Sequence, residues 1–382
     1  MVLGVDLRCL QGGVVTGVGE YARRTLAAML ELDPLLVARG YTSGRKPPGL
    51  KAEDRHRIEL VQTRLPSRVV NLLQFFGAGQ PLAKSLGMTG TVDALWLPNP
   101  GFVRLSQDVP TVLTVHDLSF FHYPELFPWR GRVWYYPAMR QLLRQLPASC
   151  TIAAVSRHTA ADVSACVPGF KGRITVVPPG VGPEFMGSVS KDDVAIMRRK
   201  YKLPERYLLS LGTIEPRKNY QLLLRAYELL LRGKSNFAPD LVVAGAWGWR
   251  TGAFTRELAK LASRHRVHIL GYVAAQDKPA LYSGAELFLY PSIFEGFGMP
   301  ALEAMALGVP VLASHSSSLP EVVGDSGLLL DPWRPEAWAN AIDWLVGDEK
   351  SRQELGIKAR ARARGFTWQR AAASYLDIFK GK

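Results

Sequence analysis

Short apolar runs alternate with helix-like stretches along the chain. The runs are continuously apolar, which is typical of strands buried on both faces of a parallel sheet. They form two series: VLGVDL, DALWLP, TVLTVHD, TIAAVS and ITVVPPG, then YLLSLGT, LVVAGAW, VHILGYV, ELFLYPS and PVLAS. Between them lie stretches with helical spacing, such as QLLLRAYELLLR and GEYARRTLAAMLEL, whose apolar stripe is Tyr21, Leu26, Met29 and Leu30. The pattern predicts an α/β fold with two helix-covered parallel sheets.

A segment rich in proline, glycine and serine separates the two series. It is PPGVGPEFMGSVSKDD, residues 178–193, and we place an interdomain hinge near Pro179–Phe185. The predicted domains are therefore residues 1–182 and 183–366. Two Rossmann-like sheets that face each other across a cleft would bind a ligand at the carboxyl ends of their strands. Residues 40–70 are loop-rich and basic, and their pattern predicts no defined element.

Composition agrees with a globular protein and restricts its location. The 382 residues are 47% hydrophobic and 21% charged, without an apolar run of 18 residues, so no membrane-spanning helix is predicted. The first residues, MVLGVDLRCL, contain Asp6 and Arg8, which favours a buried strand over a signal peptide. Cys9, Cys150 and Cys166 are widely spaced and odd in number, which favours reduced thiols in a cytoplasmic protein.

The net charge of +14 favours an anionic partner, such as nucleic acid, an acidic lipid surface or a phosphorylated ligand. Residues 1–190 contribute +7 of it, so the excess is not confined to one tail. Because no nucleic-acid-binding motif accompanies the charge, we do not expect nucleic acid as a partner. The segment 68–87 carries apolar residues between Arg68 and Lys84. It is a candidate surface for an anionic membrane, although a core helix is the favoured interpretation.

The stretch SIFEGFGMPALEAMALG, residues 292–308, predicts a turn at the start of a helix. A predicted strand precedes it, Pro300 suits the first helical position and Gly308 suits the helix end. Free backbone amides at a helix start can bind an anion, and Gly296 and Gly298 allow a ligand to approach closely.

Two carboxylates, Glu295 and Glu303, flank this turn. A carboxylate repels an anion but accepts hydrogen bonds from hydroxyl groups well. Hydroxyl-bearing groups on both sides of a phosphate describe a nucleotide-sugar. The alternative is that Glu295 is a loop charge and that Glu303 is a surface residue, tolerated by the helix dipole in the first turn.

Three other segments have weaker signals. In GTIEPRKNYQLLL, Arg217 and Lys218 lie at a helix start, where an anionic ligand would explain them and a solvated pair is the alternative. In TVHDLSFFHYPE, His116 ends a buried strand and is either a ligand contact or a histidine satisfied in the core. The third segment has glycines between a strand and a helix without GxGxxG spacing, at positions Gly12, Gly13, Gly17 and Gly19.

Together these segments resemble the retaining GT-B glycosyltransferases of group 1, also called family four. EGFGMPALEAMALGVPVLAS is similar to their Glu-x7-Glu motif. GTIEPRKN, the VHD strand end, VVPPGV, LGYV and SSLPEVVGDSGLLLDP look like further blocks, in the family's order and over nearly the whole chain. The chain is particularly similar to bacterial mannosyltransferase-like members that assemble O-antigen or exopolysaccharide.

The resemblance implies a GT-B enzyme with the donor bound mainly by the C-terminal domain and a final helix, about 367–382, packed on the N-terminal domain. It implies transfer of a sugar, with retention, to a glycan or lipid-linked acceptor in cell-surface polysaccharide biosynthesis. GDP-mannose is the first candidate donor, and UDP-sugars come next. We expect no metal or other cofactor, and a cytoplasmic enzyme with peripheral contact to the inner face of the membrane. A nucleotide-sugar epimerase and a non-catalytic polyanion-binding protein are the alternatives.

The resemblance also implies roles in the C-terminal domain. Glu295 would hold donor-sugar hydroxyls, Glu303 the ribose diol, and Lys218 would neutralise the diphosphate. The backbone at the turn would face the diphosphate or sugar, at Gly296, Phe297, Gly298 and Met299.

Other implied contacts are more scattered. His116 would touch the donor sugar, Gly17 would approach phosphate or acceptor, and Val273 would line the base pocket through its backbone. Many family members carry arginine where this chain has Thr213, and Arg217 would replace its charge from four residues later. We therefore predict His116, Arg217, Lys218 and Glu295 as catalytic.

Overall fold

The structure, a computed structural model, describes residues 1–11, 17–50, 52–75, 78–87, 91–101, 103–129, 131–233 and 238–381. The chain forms two compact units. Unit 1 consists of Met1–His122, Trp129–Gly180 and Thr367–Lys382, and unit 2 of Tyr123–Pro128 and Val181–Phe366. The chain therefore passes from one unit to the other four times. The division at Gly180–Val181 lies two residues before the predicted boundary, and the short segment Tyr123–Pro128, expected in the N-terminal domain, belongs to unit 2.

Unit 1 is built on a seven-stranded sheet whose neighbouring strands are all parallel. Its strands are β1 (Val2–Asp6), β2 (Val37–Ser43), β3 (Ile58–Thr63), β4 (Ala94–Leu97), β5 (Thr111–Val115), β6 (Cys150–Ala154) and β7 (Arg173–Val176). Their order is β3-β2-β1-β4-β5-β6-β7. Its first helices are α1 (Gly17–Leu32), α2 (Ala52–Arg55), α3 (Ser67–Phe75), α4 (Leu82–Leu86), α5 (Ser119–His122), α6 (Tyr136–Arg144) and α7 (Arg157–Cys166).

Unit 2 contains a six-stranded parallel sheet in the order β10-β9-β8-β11-β12-β13. Its strands are β8 (Tyr207–Leu211), β9 (Asp240–Ala244), β10 (Val267–Gly271), β11 (Leu287–Tyr290), β12 (Val311–Ser314) and β13 (Leu328–Leu330). Its helices are α8 (Lys191–Tyr201), α9 (Tyr220–Arg232), α10 (Gly252–Lys260), α11 (Lys278–Ser283), α12 (Met299–Ala306), α13 (Leu319–Val323), α14 (Pro335–Gly347) and α15 (Glu349–Ala363). The last helix, α16 (Trp368–Phe379), returns to unit 1.

A buried chain of hydroxyl groups joins α16 to the sheet of unit 1. The Tyr375 hydroxyl lies 2.6 Å from Thr114 Oγ1 and 3.0 Å from the Tyr21 hydroxyl. Trp96 Nε1 donates to the same Thr114 oxygen at 3.0 Å. Buried polar groups are stable only when paired, so this chain fixes α16 against β4, β5 and α1 in one register.

The predicted elements of both series are present, but the weakly patterned region 40–70 is not loop. It contains β2, β3 and the start of α3. Prediction failed there because only one of the six residues of β3 is buried and because the centre of β2 is Arg39-Gly40. Neither strand therefore has the continuous apolar run on which the assignment of strands relied. The short strand β13 was also missed.

The segment 68–87 divides into two helices with different environments. In α4, Leu82 and Leu86 are buried, as the core-helix interpretation requires. In α3, by contrast, Val69 is 41% exposed and Leu72 is 54% exposed. The core interpretation is therefore wrong for the outer face of α3. No helix among the described residues combines the length and apolar character needed to cross a bilayer.

Candidate functional site

The loops that follow β8 and β11 form the candidate site of unit 2. These strands are neighbours in the sheet although they are separated in sequence, so strand order reverses between them. Ligands of open parallel sheets bind at the carboxyl ends of strands at such a reversal. The two loops are tied together, because the Ile293 amide donates to the Arg217 carbonyl at 2.9 Å.

A glycine keeps the neighbouring loop close to this edge. Gly245, just after β9, has a φ of +146°, and a Cβ at this position would lie 2.0 Å from the carbonyl oxygen of Gly212. A side chain there would therefore force the β8 and β9 loops apart.

Three of the predicted catalytic side chains meet at this edge. Lys218 Nζ lies 2.5 Å from Glu295 Oε1, and Arg217 Nη1 lies 3.0 Å from Glu295 Oε2. Arg217 also donates to the Phe294 carbonyl at 2.8 Å, and Lys218 donates to the Tyr290 hydroxyl at 2.9 Å. Lys218 and Glu295 are buried, so the alternatives of a solvated cation pair and a loop charge do not hold for them.

Burial and charge act on these groups in opposite directions. Burial by itself would raise the pKa of Glu295, but Lys218 and Arg217 outweigh it and lower that pKa to about 2. Burial lowers the pKa of Lys218, against the attraction of Glu295. The carboxylate is therefore ionised at neutral pH and holds two cations in place.

The turn after Glu295 has the predicted helix start. Gly298 has a φ of +107°, and α12 begins at Met299, with Pro300 in its second position and not its first. A Cβ on Gly298 would lie 2.7 Å from Leu319 Cδ2, so both conformation and packing require glycine. The backbone amides of Phe297, Gly298 and Met299 donate no hydrogen bond to any residue that the structure describes. Unpaired amides at a helix start are suited to an anion.

Neighbouring serines hold the turn in place. Ser317 Oγ accepts from the Glu295 amide at 2.8 Å, and Ser318 Oγ donates to the carbonyls of Glu295 and Phe297, both at 2.9 Å. Gly296 and Phe297 are buried within this turn. Contacts within the protein therefore hold this turn in its conformation without a ligand.

Glu303 lies in the second turn of α12, not in the first as the sequence predicted, because the helix begins at Met299. The alternative interpretation, a surface residue that the helix dipole tolerates in the first turn, is therefore weakened for Glu303. The carboxylate is buried, accepts from the Tyr282 hydroxyl at 2.8 Å and lies 3.7 Å from Lys278 Nζ. It is therefore a constrained acceptor, not a freely moving surface charge.

The remaining predicted residues are distributed between the two units. In unit 2, Thr213 is exposed after β8 and Val273 is buried after β10. In unit 1, Gly17 is the exposed first residue of α1, with no described atom within 4 Å of a Cβ placed there. Gly12 and Gly13 lie outside the described residues.

His116 follows β5 in unit 1. Its Nε2 lies 2.7 Å from the Pro98 carbonyl, and its ring meets the Tyr21 ring edge to face at 5.0 Å. Burial lowers the pKa of His116, so the neutral ring donates from Nε2 and keeps Nδ1 as an acceptor. These contacts agree with the alternative that His116 is a histidine whose hydrogen bonds are satisfied in the core. Its contact with a donor sugar stays a prediction.

Sequence reasoning missed four polar side chains that hold the predicted ones: Glu215, Tyr282, Tyr290 and Lys278. Glu215 lies inside the GTIEPRKN segment, and Tyr290 lies in the predicted strand run ELFLYPS and is the last residue of β11, so both had a positional signal. Tyr282 and Lys278 come from α11, which has no distinguishing motif.

Among the described parts of the chain, no group of three histidine, cysteine, aspartate or glutamate side chains is arranged to hold a metal ion.

The sequence matches known protein families in two adjoining parts. Residues 193–362 match the family described as glycosyl transferases group 1, and residues 12–185 match glycosyltransferase family 4. The chain is also 36% identical, over an alignment of 398 residues, to D-inositol 3-phosphate glycosyltransferase of Salinispora tropica, covering 96% of this chain and 80% of that protein. The chain belongs to the group 1 glycosyltransferases.

Other similarities agree with this family and with the predicted GT-B class. The glycosyltransferase is 29% identical over 376 residues to O-antigen chain mannosyltransferase B of Escherichia coli, covering 96% of each chain. Its fold is similar to that of sucrose-phosphate synthase from Thermosynechococcus elongatus, with a TM-score of 0.76, 20% identity and coverage of 100% and 98%. It is also similar to Anabaena HepE in complex with UDP-glucose, with a TM-score of 0.70, 18% identity and coverage of 100% and 99%.

Proposed function

We propose that this glycosyltransferase moves a sugar, with retention of anomeric configuration, from a nucleoside diphosphate donor to a glycan or lipid-linked acceptor. The observation that supports this most directly is the placement of Arg217 and Lys218 against Glu295, beside unpaired amides at the start of α12. Cations and amides suit a diphosphate, and a fixed carboxylate suits sugar hydroxyls.

The similar proteins support particular donors and a setting. The HepE complex holds UDP-glucose, which supports a nucleotide-sugar as donor. The E. coli relative is an O-antigen chain mannosyltransferase, which supports mannose, and hence GDP-mannose, as the first donor and cell-surface polysaccharide as the setting. UDP-glucose is the second candidate.

The contacts of Lys218, Arg217, Glu295 and Glu303 support the roles proposed for them. Lys218 and Arg217 stabilise negative charge on the leaving diphosphate, with help from the amides of Phe297, Gly298 and Met299. Glu295 accepts from sugar hydroxyls, while Glu303 and the backbone near Val273 bind the ribose and base. The roles that the family resemblance implies for His116 and Gly17 stay predictions. Thr213 carries no charge, so Arg217 supplies the second cation. In this proposal the two cations and the amides contact the diphosphate directly, and no metal is expected.

The proposed reaction is a front-face substitution. The bond between the sugar C1 and the diphosphate oxygen breaks, and its electron pair stays on that oxygen. The acceptor oxygen bonds to the same face of C1 and transfers its proton to the departing phosphate oxygen. The products are a glycoside and a nucleoside diphosphate, and the protein contributes mainly electrostatic stabilisation.

A donor panel tests this proposal. We expect GDP-mannose, or failing that UDP-glucose, to raise the melting temperature, since saturation at 100 times Kd stabilises by about 2.7 kcal/mol. With a glycan acceptor the same donor should release nucleoside diphosphate, and NMR of the product should show the donor's anomeric configuration. An inverted product rejects retention. Conversion of the donor without acceptor indicates an epimerase, and absence of any effect by either donor rejects the donor site.

We further propose that the outer face of α3 contacts an anionic membrane. The exposed residues Val69, Leu72 and Leu73 lie beside Arg68, and residues 1–190 carry a net charge of +7. Apolar side chains flanked by cations match an anionic lipid surface. In flotation with phosphatidylserine vesicles, Leu72→Asp should reduce recovery. The control Leu35→Asp, at a residue 83% exposed elsewhere in unit 1, should not. Equal recovery with neutral vesicles argues against the proposal.

A further inference from the structure

Four buried or half-buried charges form an unbranched chain at the candidate site. Glu215 Oε1 lies 2.9 Å from Arg217 Nη2, Arg217 Nη1 lies 3.0 Å from Glu295 Oε2, and Glu295 Oε1 lies 2.5 Å from Lys218 Nζ. The two carboxylates neutralise the two cations within the protein itself. The cations that would bind a diphosphate are therefore already compensated.

A diphosphate donor changes this balance. A nucleotide-sugar brings about two negative charges, and its arrival beside a neutral buried cluster leaves an uncompensated negative charge in a poorly solvated site. Uncompensated buried charge is strongly unfavourable, and a group that can neutralise itself by binding a proton does so. The amides at the start of α12 offset part of the charge, but they carry only partial charges.

We propose that Glu215 is a positioning residue of the donor site, which holds Arg217 when the site is empty and takes up a proton when the diphosphate binds. The proton comes from solvent, and the carboxylate becomes a neutral carboxyl group. Arg217 thereby loses one of its two anionic partners and turns its charge to the diphosphate. This inference rests on the proposed donor-binding function.

The contacts select Glu215 over Glu295 as the proton acceptor. Glu295 contacts both Arg217 and Lys218, whereas the ion pair of Glu215 is with Arg217. Burial raises the pKa of Glu215 above its usual value, although Arg217 and Lys218 oppose the change. The two cations instead lower the pKa of Glu295 to about 2, against the effect of burial.

Among the residues that the structure describes, the charges that act on Glu215 are those of Arg217, Lys218 and Glu295, which all belong to this chain of ion pairs. Besides the charged chain itself, Tyr220 of α9 faces this site. The loop after β9 brings the backbone of Gly248 against Glu215, since a Cβ on that glycine would lie 3.4 Å from Glu215 Cβ. The cation on that loop, Arg250, is exposed and donates to the Glu125 carbonyl.

Isothermal titration calorimetry measures the proton directly. GDP-mannose, and then UDP-glucose, is titrated into the protein at one pH in PIPES and in Tris, two buffers whose ionisation enthalpies differ. The difference in apparent binding enthalpy between the two buffers gives the number of protons taken up per donor bound. Intact nucleotide-sugars do not titrate near neutral pH, so the protons are taken up by the protein. We expect uptake of up to about one proton per donor, and an affinity that weakens as pH rises with a slope of up to about tenfold per pH unit.

Two variants make the assignment specific. Glu215→Gln keeps the size and can accept a hydrogen bond from Arg217 but cannot titrate, so it should bind donor without proton uptake and with a flat pH profile. Glu257→Gln removes a carboxylate of the same unit that pairs with Arg225 at the exposed surface, and should behave as wild type.

The outcomes separate the two proposals. Donor binding by wild type without proton uptake overturns the role of Glu215 and leaves the donor site intact, even if Glu215→Gln fails to fold. Uptake that persists in Glu215→Gln also overturns it. Absence of binding by either donor overturns the proposed function and this inference with it.

Discussion

Replacing Lys218 by methionine tests the centre of the proposed mechanism. Methionine keeps an unbranched apolar stem of similar length in a buried position and removes only the ammonium group. The change deletes the contact with Glu295 at 2.5 Å and the hydrogen bond to the Tyr290 hydroxyl. Glu295 keeps its pairing with Arg217, so it is not left as an isolated buried charge.

Two magnitudes follow for this Lys218→Met variant. A preorganised charge at a developing anion contributes about 3 kcal/mol to transition-state stability. Its loss should lower kcat by about a hundredfold or more. Breaking a buried ion pair costs about 3–5 kcal/mol of folding stability, and we expect the lower end of that range because Arg217 remains.

The assay is release of nucleoside diphosphate under saturating donor and acceptor, below the melting temperature of every variant. Lys200→Met is the matched control, because Lys200 makes a 2.7 Å ion pair with Asp277 in the same unit but is half exposed. The control should keep wild-type kcat. A folded Lys218→Met protein with unchanged kcat would refute the proposed electrostatic role of the lysine.

Three further predictions concern other contacts. Tyr282→Phe removes the hydroxyl that donates to Glu303 at 2.8 Å, so donor Kd should weaken by about tenfold in calorimetry, and an unchanged Kd contradicts a ribose-binding role for that carboxylate. The folded-state pKa of Glu295 is lowered to about 2, so its ion pairs stabilise the protein above its unfolded-state pKa and less as pH falls. The stability gap to Glu295→Gln in urea unfolding should therefore shrink from pH 6 to pH 3, and a constant gap contradicts the pairing. Tyr375→Phe loses the bond to Thr114 and should lower the free energy of unfolding by about 1–2 kcal/mol, with unchanged stability arguing against the buried chain.

Sequence patterns predicted the elements that are buried on both faces. Strands such as β5 and β8 are buried along their whole length, and their apolar runs are uninterrupted. At the edge of the unit 1 sheet, only one of the six residues of β3 is buried, and the strand lacks such a run. Edge strands were therefore harder to recognise than central strands. An edge strand is held by backbone hydrogen bonds to one neighbouring strand, and this pairing leaves no apolar run in the sequence.

The candidate site was predictable where its residues are close in sequence. Glu295, Arg217 and Lys218 belong to short loops directly after strands, and parallel topology brings such loops to one edge. Their partners were harder to predict from the sequence. Tyr282, for example, reaches Glu303 from a separate helix, and tyrosine is a common residue in protein cores. The start of α12 was misjudged by one residue, because proline is tolerated in the first turn, where N–H groups have no partner within the helix.

The return of α16 to unit 1 has a consequence for synthesis of the chain. Unit 1 takes its first residues from the amino terminus and its last helix from Thr367–Lys382, whereas most of unit 2 lies between them. While the protein emerges from the ribosome, the surface of unit 1 that α16 covers stays exposed until Thr367–Lys382 has been synthesised. Unit 2 has all of its residues by Phe366 and is free to fold first, and a stop codon just after that residue would spare it while leaving unit 1 without its final helix.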